Sequence, residues 1–415
     1  MKIKRRAALF AAWMLALSAV IIIGTVQTAT AAPPGGYHAV APARILDTRA
    51  PIGVGVAGPL GPGATISLQV AGRGGVPATG ALAVVMNVTA VDPTVGGYLT
   101  LTPTGEIRGT VSNVNFVAGE IRPNLVTVKL GTTGAVDVYN DTGATHVLAD
   151  VVGWYDNGTT AGGRFNALTP FRDLDTRSGI GRAGTAPVGP GTAFDVKVTG
   201  VGGVPAANVS AVVLNVTVTE PDSKSFVTVY PQGTSPRPNA SNLNFTTGKQ
   251  IANLVIVGVS ASGAVTFYND TGNTHILADV VGWFDANGTQ GAFFHPVTPG
   301  RVLDSRPSHV GLFHEVEGAA TIVGTAGIPA TGVTAVVANF TAVDATFPGY
   351  LTIWPDGVGR PNASSINFPA RLPTPNLVIT SVNAKGDIAL FASMVPSPDA
   401  YVDLVMDAFG YFSAT

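Results

Sequence analysis

The sequence predicts an all-β protein: three tandem β-sandwich repeats, of the immunoglobulin-like or jelly-roll type, after a signal peptide. Three observations favour this fold class. One set of motifs recurs three times along the chain. Short runs of β-branched residues alternate with turn residues. The 51 Gly and 30 Pro leave no sustained helical pattern in the mature chain.

The N-terminal segment has the features of a secretory signal peptide, which we assign to residues 1–32. Basic residues around Lys4 precede an apolar run at 7–26, and Ala29–Ala31 supplies small residues for cleavage. The apolar run is also long enough to span a bilayer, so an uncleaved anchor is the alternative. We therefore expect a secreted protein, extracellular or at the cell surface, with no membrane span after cleavage.

The composition argues against nucleic-acid binding, against disulfide-held domains and against disorder. The formal net charge of −2 provides no basic surface for nucleic acid. Cysteine is absent, although an exported chain meets an oxidising compartment, so hydrophobic cores and not disulfides must hold the domains. With 46% hydrophobic residues the chain is expected to fold and not to be disordered.

The repeats define three domains, which we place at residues 37–157, 165–286 and 294–413. The segment VPATGALAVVMNVTAVD returns as VPAANVSAVVLNVTVTE and IPATGVTAVVANFTAVD, and ADVVGWY returns as ADVVGWF and MDAFGYF. Gly-rich segments near 156–164 and 285–292 join the units. Tandem domains imply that one unit, for example 163–290, folds alone. A single pseudo-threefold assembly of all three units is the alternative.

Strand periodicity runs through each unit. In the first, Val84, Met86 and Val88 form an apolar face of one strand, as expected for a sandwich interior. Further β-branched runs are bounded by Gly, Pro and Asn-Asp turns, which predicts seven or eight short strands per unit. These runs lie at 65–71, 98–102, 125–130, 135–139 and 145–155.

Taken together, the motifs A-R-x-L-D-T-R, A-V-V-x-N-V-T, R-P-N-A-S-N-L-N-F and H-[VI]-L-A-D-V-V-G-W resemble a repeat of exported proteins from high-GC Gram-positive bacteria. The resemblance covers essentially the whole mature chain. It implies an accessory, extracellular and non-catalytic module, which in that group occurs in tandem or is appended to secreted hydrolases. No hydrolase domain accompanies the repeats in this chain.

The first of these motifs brackets one acid between two arginines in each unit, as RILDTR, RDLDTR and RVLDSR. We predict structural ion pairs, because a buried carboxylate needs a charged partner. The spare first arginine is expected to meet an acid from the closing strand. A carboxylate or sugar site is the alternative. The predicted ion-pair residues are Asp47, Arg49, Asp150, Asp175, Arg177, Asp279, Asp304, Arg306 and Asp407.

A ligand site is predicted where a strand ends in a Pro-x-Gly turn. Tyr230 and Trp354 occupy one equivalent position there, with Thr102 in the first unit. Aromatic rings exposed at such a rim could stack on a sugar while nearby arginine and asparagine side chains bind its hydroxyls. The other predicted ligand-binding residues are Arg108, Arg237, Arg360, Asn113 and Asn242. For the asparagines nearby, the alternative is that they cap turns or satisfy buried backbone groups; these are Asn115, Asn124, Asn244, Asn253, Asn367 and Asn376.

Metal binding and catalysis find little support. His146 and Asp150 would lie about 13 Å apart on one strand face, too far to share an ion, and Asp403 replaces the histidine in the third unit. Calcium in the turns is left open. No nucleophile elbow or HExxH motif is present. We therefore predict no cofactor, no metal site and no enzyme, and a secreted hydrolase ranks third among the functions.

The predicted function is a secreted binding module that recognises cell-wall or other polysaccharide through three similar weak sites, which would gain avidity on a repetitive ligand. The alternative is a structural or adhesive cell-surface protein that associates with itself through strand edges or apolar faces.

Overall fold

A computed structural model describes residues 35–158, 160–308 and 310–415. The predicted signal peptide lies outside these residues. The described residues belong to one compact unit. Within the described ranges the chain contains strands, bridges and turns, and it has no helix long and apolar enough to cross a membrane.

Repeat 1 contains eight strands: β1 Tyr37–Asp47, β2 Thr65–Gln69, β3 Ala81–Val91, β4 Gly97–Pro103, β5 Val114–Phe116, β6 Ile121–Lys129, β7 Ala135–Asn140 and β8 His146–Asp156. Repeat 2 has the same set: β9 Arg164–Asp175, β10 Thr192–Lys197, β11 Val209–Thr219, β12 Ser225–Pro231, β13 Leu243–Phe245, β14 Ile251–Gly258, β15 Ala264–Asn269 and β16 His275–Asp285.

Repeat 3 has one additional short strand, β18: β17 Phe293–Asp304, β18 Leu312–Phe313, β19 Glu317–Thr321, β20 Val333–Val343, β21 Gly349–Pro355, β22 Ile366–Phe368, β23 Thr374–Ser381, β24 Asp387–Met394 and β25 Tyr401–Ser413.

Each repeat forms two antiparallel sheets with one common strand order. The first sheet, here called the axial sheet, has the order β1-β8-β3-β6 in repeat 1, β9-β16-β11-β14 in repeat 2 and β17-β25-β20-β23 in repeat 3. The second, the outer sheet, has the order β2-β7-β4-β5, β10-β15-β12-β13 and β19-β24-β21-β22. The equivalent strand order makes each repeat a structural copy of the others.

The axial sheets are buried on both faces. In β3, Val84, Met86 and Val88 pack against the outer sheet of the same repeat, in a core that belongs to repeat 1 alone. Ala83 and Val85 point the other way and join a fourth cluster that draws residues from all three repeats. Two-sided burial explains why β3 is apolar at nearly every position.

Six aromatic rings pack together within this shared cluster. Tyr155, Phe284 and Phe412, which end the three axial sheets, have centroids 6.2, 6.3 and 6.4 Å apart. The near-equal distances place these three rings around a pseudo-threefold axis. Each also contacts a ring from the start of another repeat: Tyr37 stacks on Phe284 and Phe294 stacks on Tyr155, whereas Phe165 is tilted against Phe412.

Backbone hydrogen bonds between the starts of the repeats close the ring. Gly35, before repeat 1, exchanges two backbone hydrogen bonds of 2.9 Å with Phe294 of repeat 3. Tyr37 pairs in the same way with Gly163, and Phe165 with Ala292. The chain segments that precede the three repeats therefore bond to one another.

These observations correct the predicted fold class. The all-β content is confirmed, but the chain forms one assembly of six small sheets with a core shared by all three repeats, and not three tandem β-sandwich repeats. The physical reason is the second apolar face of the axial sheets. A repeat in isolation would expose that face to water, whereas the joined repeats bury it around the axis.

Candidate functional site

The strand register brings an asparagine and an aspartate together at the centre of every axial sheet. Asn87 of β3 lies opposite Asp150 of β8, and the equivalent pairs are Asn215 with Asp279 and Asn339 with Asp407. All six residues are buried. Polar groups at such positions need hydrogen-bond partners, and their partners come from the neighbouring repeat or from the opening arginine motif.

The asparagines of the axial sheets connect one repeat to the next. Asn87 Nδ2 donates to the carbonyl of Ser241 in repeat 2 (2.5 Å). Asn253 Nδ2, also in repeat 2, donates to Asn87 Oδ1 (2.9 Å), and the amide of Leu125 donates to Asn253 Oδ1 (3.1 Å). The same bonds link repeat 2 to repeat 3 through Asn215 and Asn376, and repeat 3 to repeat 1 through Asn339 and Asn124.

The opening motif forms an ion-pair network at the edge of the axial sheet. Arg44 donates from Nε and Nη2 to the two oxygens of Asp150, at 2.5 and 2.9 Å, and from Nη1 to Asp47 (3.0 Å). Arg49 donates to both oxygens of the same Asp47, at 2.9 and 2.7 Å. Arg172, Asp175, Arg177 and Asp279 repeat this arrangement, as do Arg301, Asp304, Arg306 and Asp407.

The first arginine of each motif also contacts the next repeat. Arg301 Nη2 donates to the carbonyl of Thr110 in repeat 1 (2.8 Å). Arg44 and Arg172 make the equivalent, longer contacts with the carbonyls of Asn239 and Asn362, both at 3.5 Å. Each of the three motifs thus links the closing strand of its own repeat to a loop of the neighbouring repeat.

The two acids of the network have opposite pKa shifts. Side-chain hydrogen bonds from Arg49 hold the pKa of Asp47 at about 2, and those from Arg306 hold the pKa of Asp304 at about 2. Burial raises the pKa of Asp150, against the hydrogen bonds and charge of Arg44. Asp279 and Asp407 are shifted in the same direction for the same reason.

The predicted stacking aromatics are not exposed, which corrects the premise of that prediction. Tyr230 is 7% exposed and Trp354 is 2% exposed. The Trp354 indole donates to the carbonyl of Val358 (3.0 Å), in the loop that follows the strand. Loops 104–113, 232–242 and 356–365, here called the clasp loops, follow β4, β12 and β21. Neither ring can therefore stack on a ligand.

The other predicted ligand-binding residues hold the clasp loops in place. Arg108, Arg237 and Arg360 are exposed and lie over the rings of Tyr139, Tyr268 and Phe391, at 3.3, 3.9 and 3.6 Å from the ring centroids. Asn113 and Asn242 are buried, and each accepts a backbone hydrogen bond of 2.7 Å, from Leu101 and Val229 respectively. These two asparagines therefore satisfy buried backbone groups of their own repeat.

A cavity of about 630 Å³ lies where the three repeats meet. Its wall contains the turns that lead into β6, β14 and β23, so no single repeat can form it. Repeat 1 contributes residues 117–122, repeat 2 contributes 224–225, 244–246 and 248–251, and repeat 3 contributes 348–350, 367–369 and 372. Sequence reasoning missed this site, because residues from three repeats form it only once the axial assembly exists.

The three walls of the cavity differ in chemistry. Repeat 1 supplies Glu120 and Arg122, repeat 2 supplies Lys224 and Lys249, and repeat 3 supplies an aromatic and proline-rich surface that includes Tyr350. An alignment of the three repeats could have shown that they carry different residues at these positions. Arg122 occupies a strand position that is Ile251 in repeat 2 and Thr374 in repeat 3.

Two asparagines offer unused donors at the cavity. Asn244 and Asn367 each accept a hydrogen bond at Oδ1 from a serine three residues earlier, at 2.8 and 3.0 Å. Neither Nδ2 has a protein partner within the described ranges. The amide groups are thus fixed in orientation by the serines, with their N–H groups left for a ligand.

Potential metal ligands do not converge in the described part of the chain: no group of three or more His, Asp or Glu side chains there is placed to hold an ion. His146 Nδ1 lies 3.1 Å from the hydroxyl of Thr48, and His275 Nδ1 lies 3.0 Å from that of Thr176. In repeat 3, Ser305 donates to Asp403 at the same place (2.5 Å). These residues attach the opening motif to the closing strand.

Comparison with known proteins identifies no relative. No protein-family model and no curated protein matches the chain. Among solved structures, a chain from the atomic structure of the Sulfolobus turreted icosahedral virus is 10% identical, with 86% of this chain and 84% of that chain covered and a TM-score of 0.17. One from a study of the triple jelly roll fold and turret assembly in an archaeal virus is 9% identical, at 92% and 90% coverage and a TM-score of 0.17. Similarity at this level carries no information on fold or function.

Proposed function

We propose that the protein is a non-catalytic saccharide-binding protein and that its site is the cavity between the three repeats. The observation that carries the proposal is the composite wall: side chains of three kinds, contributed by three repeats, converge on one concave space. Its volume of about 630 Å³ falls within the range of roughly 300–1,000 Å³ that is common for small-molecule sites.

The lining suits a polyhydroxylated ligand. Tyr350 is 37% exposed, and together with Pro348 and Pro369 it gives the cavity an apolar wall. Such a wall can cover the apolar face of a sugar ring. The amides of Asn244 and Asn367 supply hydrogen-bond donors for hydroxyl groups beside it.

This proposal replaces three similar weak sites by one composite site. The aromatics expected to stack at separate sites are buried, and the expected arginines lie over rings of their own repeat. A secreted location and a cell-wall or other polysaccharide as the partner remain parts of the proposal. The ligand would then be a short segment or an end of the glycan chain.

A glycan array followed by titration calorimetry tests the proposal on the chain without residues 1–32. Tyr350→Ala should weaken binding of the retained saccharide by about tenfold, because it removes one stacking surface. Tyr98→Ala is the matched control, since Tyr98 is the equivalent residue of repeat 1 and does not line the cavity. Absence of any saccharide binding, or equal losses in both variants, would contradict the proposal.

A further inference from the structure

We infer that the cavity selects an acidic saccharide and that Arg122 binds its carboxylate. This inference rests on the proposed function, because it names the class of ligand for the same site. It is argued from three features of the cavity: one buried arginine with spare donors, two lysines without acid partners, and an apolar wall next to them.

Arg122 is buried with its hydrogen-bonding capacity largely unused. Its side chain is 9% exposed, and Nη2 lies 2.6 Å from Glu120 Oε1. Nε is buried and has no hydrogen-bond partner in the described part of the chain. An arginine has five N–H donors, and leaving them unpaired away from water is costly. A ligand oxyanion would supply the missing acceptors.

Glu120 does not fully satisfy Arg122. The second oxygen of Glu120 accepts a hydrogen bond from the backbone amide of Val117 (3.2 Å). This bond ties the carboxylate to the turn in which Glu120 lies. The equivalents of Arg122 are Ile251 and Thr374, which shows that the fold does not need a charge at this position. Arg122 is therefore better explained by a ligand than by stability.

Lys224 and Lys249 extend the positive charge along the wall from repeat 2. Both are exposed and line the cavity, and neither forms an ion pair with any described residue. The cavity lining thus contains three cations and one carboxylate, Glu120, which pairs with Arg122. The excess favours an anion, and a planar guanidinium beside it favours the two oxygens of a carboxylate.

The position of the charges relative to the apolar wall further limits the class of ligand that fits the cavity. Tyr350 and the prolines of repeat 3 line one side, and the cations of repeats 1 and 2 line the others. A sugar ring that carries a carboxylate, as in a uronic acid, presents one apolar face and one anionic edge. Such a ligand would contact all three walls at once.

The test compares two ligands of equal length, one with free carboxylates and one in which methyl esters remove the charge. An oligogalacturonate and its methyl ester of equal length are titrated into the chain without residues 1–32. We expect the acid to bind at least about tenfold more tightly, as for one charge-assisted hydrogen-bond pair. Arg122→Thr, which installs the residue of repeat 3, should remove this preference by weakening binding of the acid about tenfold more than binding of the ester.

A second variant distinguishes an effect on binding from a folding defect of Arg122→Thr. Lys224→Gln with Lys249→Gln alters only exposed positions and should also reduce the preference for the acid, with an unchanged thermal unfolding temperature. Equal binding of acid and ester by the unaltered chain would overturn the inference but leave the proposed function intact. If neither these ligands nor any saccharide of the array binds, the proposed function itself fails. A preference for the acid that survives both sets of substitutions would also overturn the inference.

Discussion

Asn253 and Asn87 lie in different repeats, and the Asn253 amide donates to Asn87 Oδ1 across the boundary at 2.9 Å. The same relationship joins Asn376 to Asn215 at 2.9 Å and Asn124 to Asn339 at 2.8 Å. All six residues are buried. The ring of three repeats is therefore fastened by three equivalent polar links inside an otherwise apolar interior, where hydrogen bonds are strong and unpaired groups are costly.

Asn253→Ala should destabilise the whole assembly. It leaves the amide of Leu125, the carbonyl of Asn242 and Asn87 Oδ1 without their partner, at a cost of about 1–3 kcal/mol for each buried group. Chemical denaturation should show a loss of about 3 kcal/mol or more. Asn287→Ala, at an exposed position, is the control and should be neutral. A loss as small as that of the control would show that the links contribute nothing.

Repeat 2 alone should not form a stable monomer. The fragment 163–290 would expose Val213, Ile256 and Phe284, which contact the other repeats in the shared cluster. We expect it to bind a hydrophobic dye and to associate or unfold. A monomeric fragment with a strand-type circular-dichroism spectrum and a cooperative unfolding transition would instead support independent domains.

Asp47→Asn should lower stability at neutral pH but not in strong acid. The pKa of Asp47 is about 2 in the folded chain and about 3.9 in an unfolded one. The carboxylate therefore contributes stability above pH 4, and this contribution is lost as the pH falls through 2. Because Arg49 is 49% exposed, solvent screens the pair and the loss at pH 7 should be about 1 kcal/mol. Unfolding curves of variant and unaltered chain should converge near pH 2; a constant difference would contradict the assignment.

Asp173 should show the opposite dependence on pH. It is buried, its Oδ2 has no hydrogen-bond partner, and burial raises its pKa to about 6. The folded chain thus holds a proton that the unfolded chain releases between pH 4 and 6, so this residue lowers stability as the pH rises through that window.

Asp173→Val tests this pH dependence. The equivalent positions in repeats 1 and 3 hold Ile45 and Val302, so an apolar side chain suits the site. The variant should be more stable than the unaltered chain at pH 7, and the difference should shrink towards pH 4. Thermal unfolding across this range measures it. A variant that is less stable at pH 7 would show that Asp173 has a partner in solution.

Much of the strand pattern could be predicted from the sequence, whereas the assembly could not. The apolar alternation at Val84, Met86 and Val88 correctly indicated the repeat core. Val85 lies on the other face of the same strand and was a sign of two-sided burial. A single unit, however, provides no partner for that face, and only the joining of three units does. The structure places Arg44 against Asp150, the closing-strand acid expected as its partner.

The candidate site was harder to predict for a related reason. We predicted exposed rings for Tyr230 and Trp354 because they precede turns, but both are buried, and only the tertiary structure shows this. The cavity combines Arg122, Lys224 and Tyr350, which are far apart along the chain. Alignment of the repeats marks these positions as places where the three copies differ, yet it does not show that they meet.

The stoichiometry of saccharide binding tests the central claim most directly. Calorimetric titration of the chain without residues 1–32 should give one ligand per chain, and Tyr350→Ala should weaken that single event. Three ligands per chain of similar affinity, unaffected by Tyr350→Ala, would show that each repeat binds by itself and would contradict the composite site.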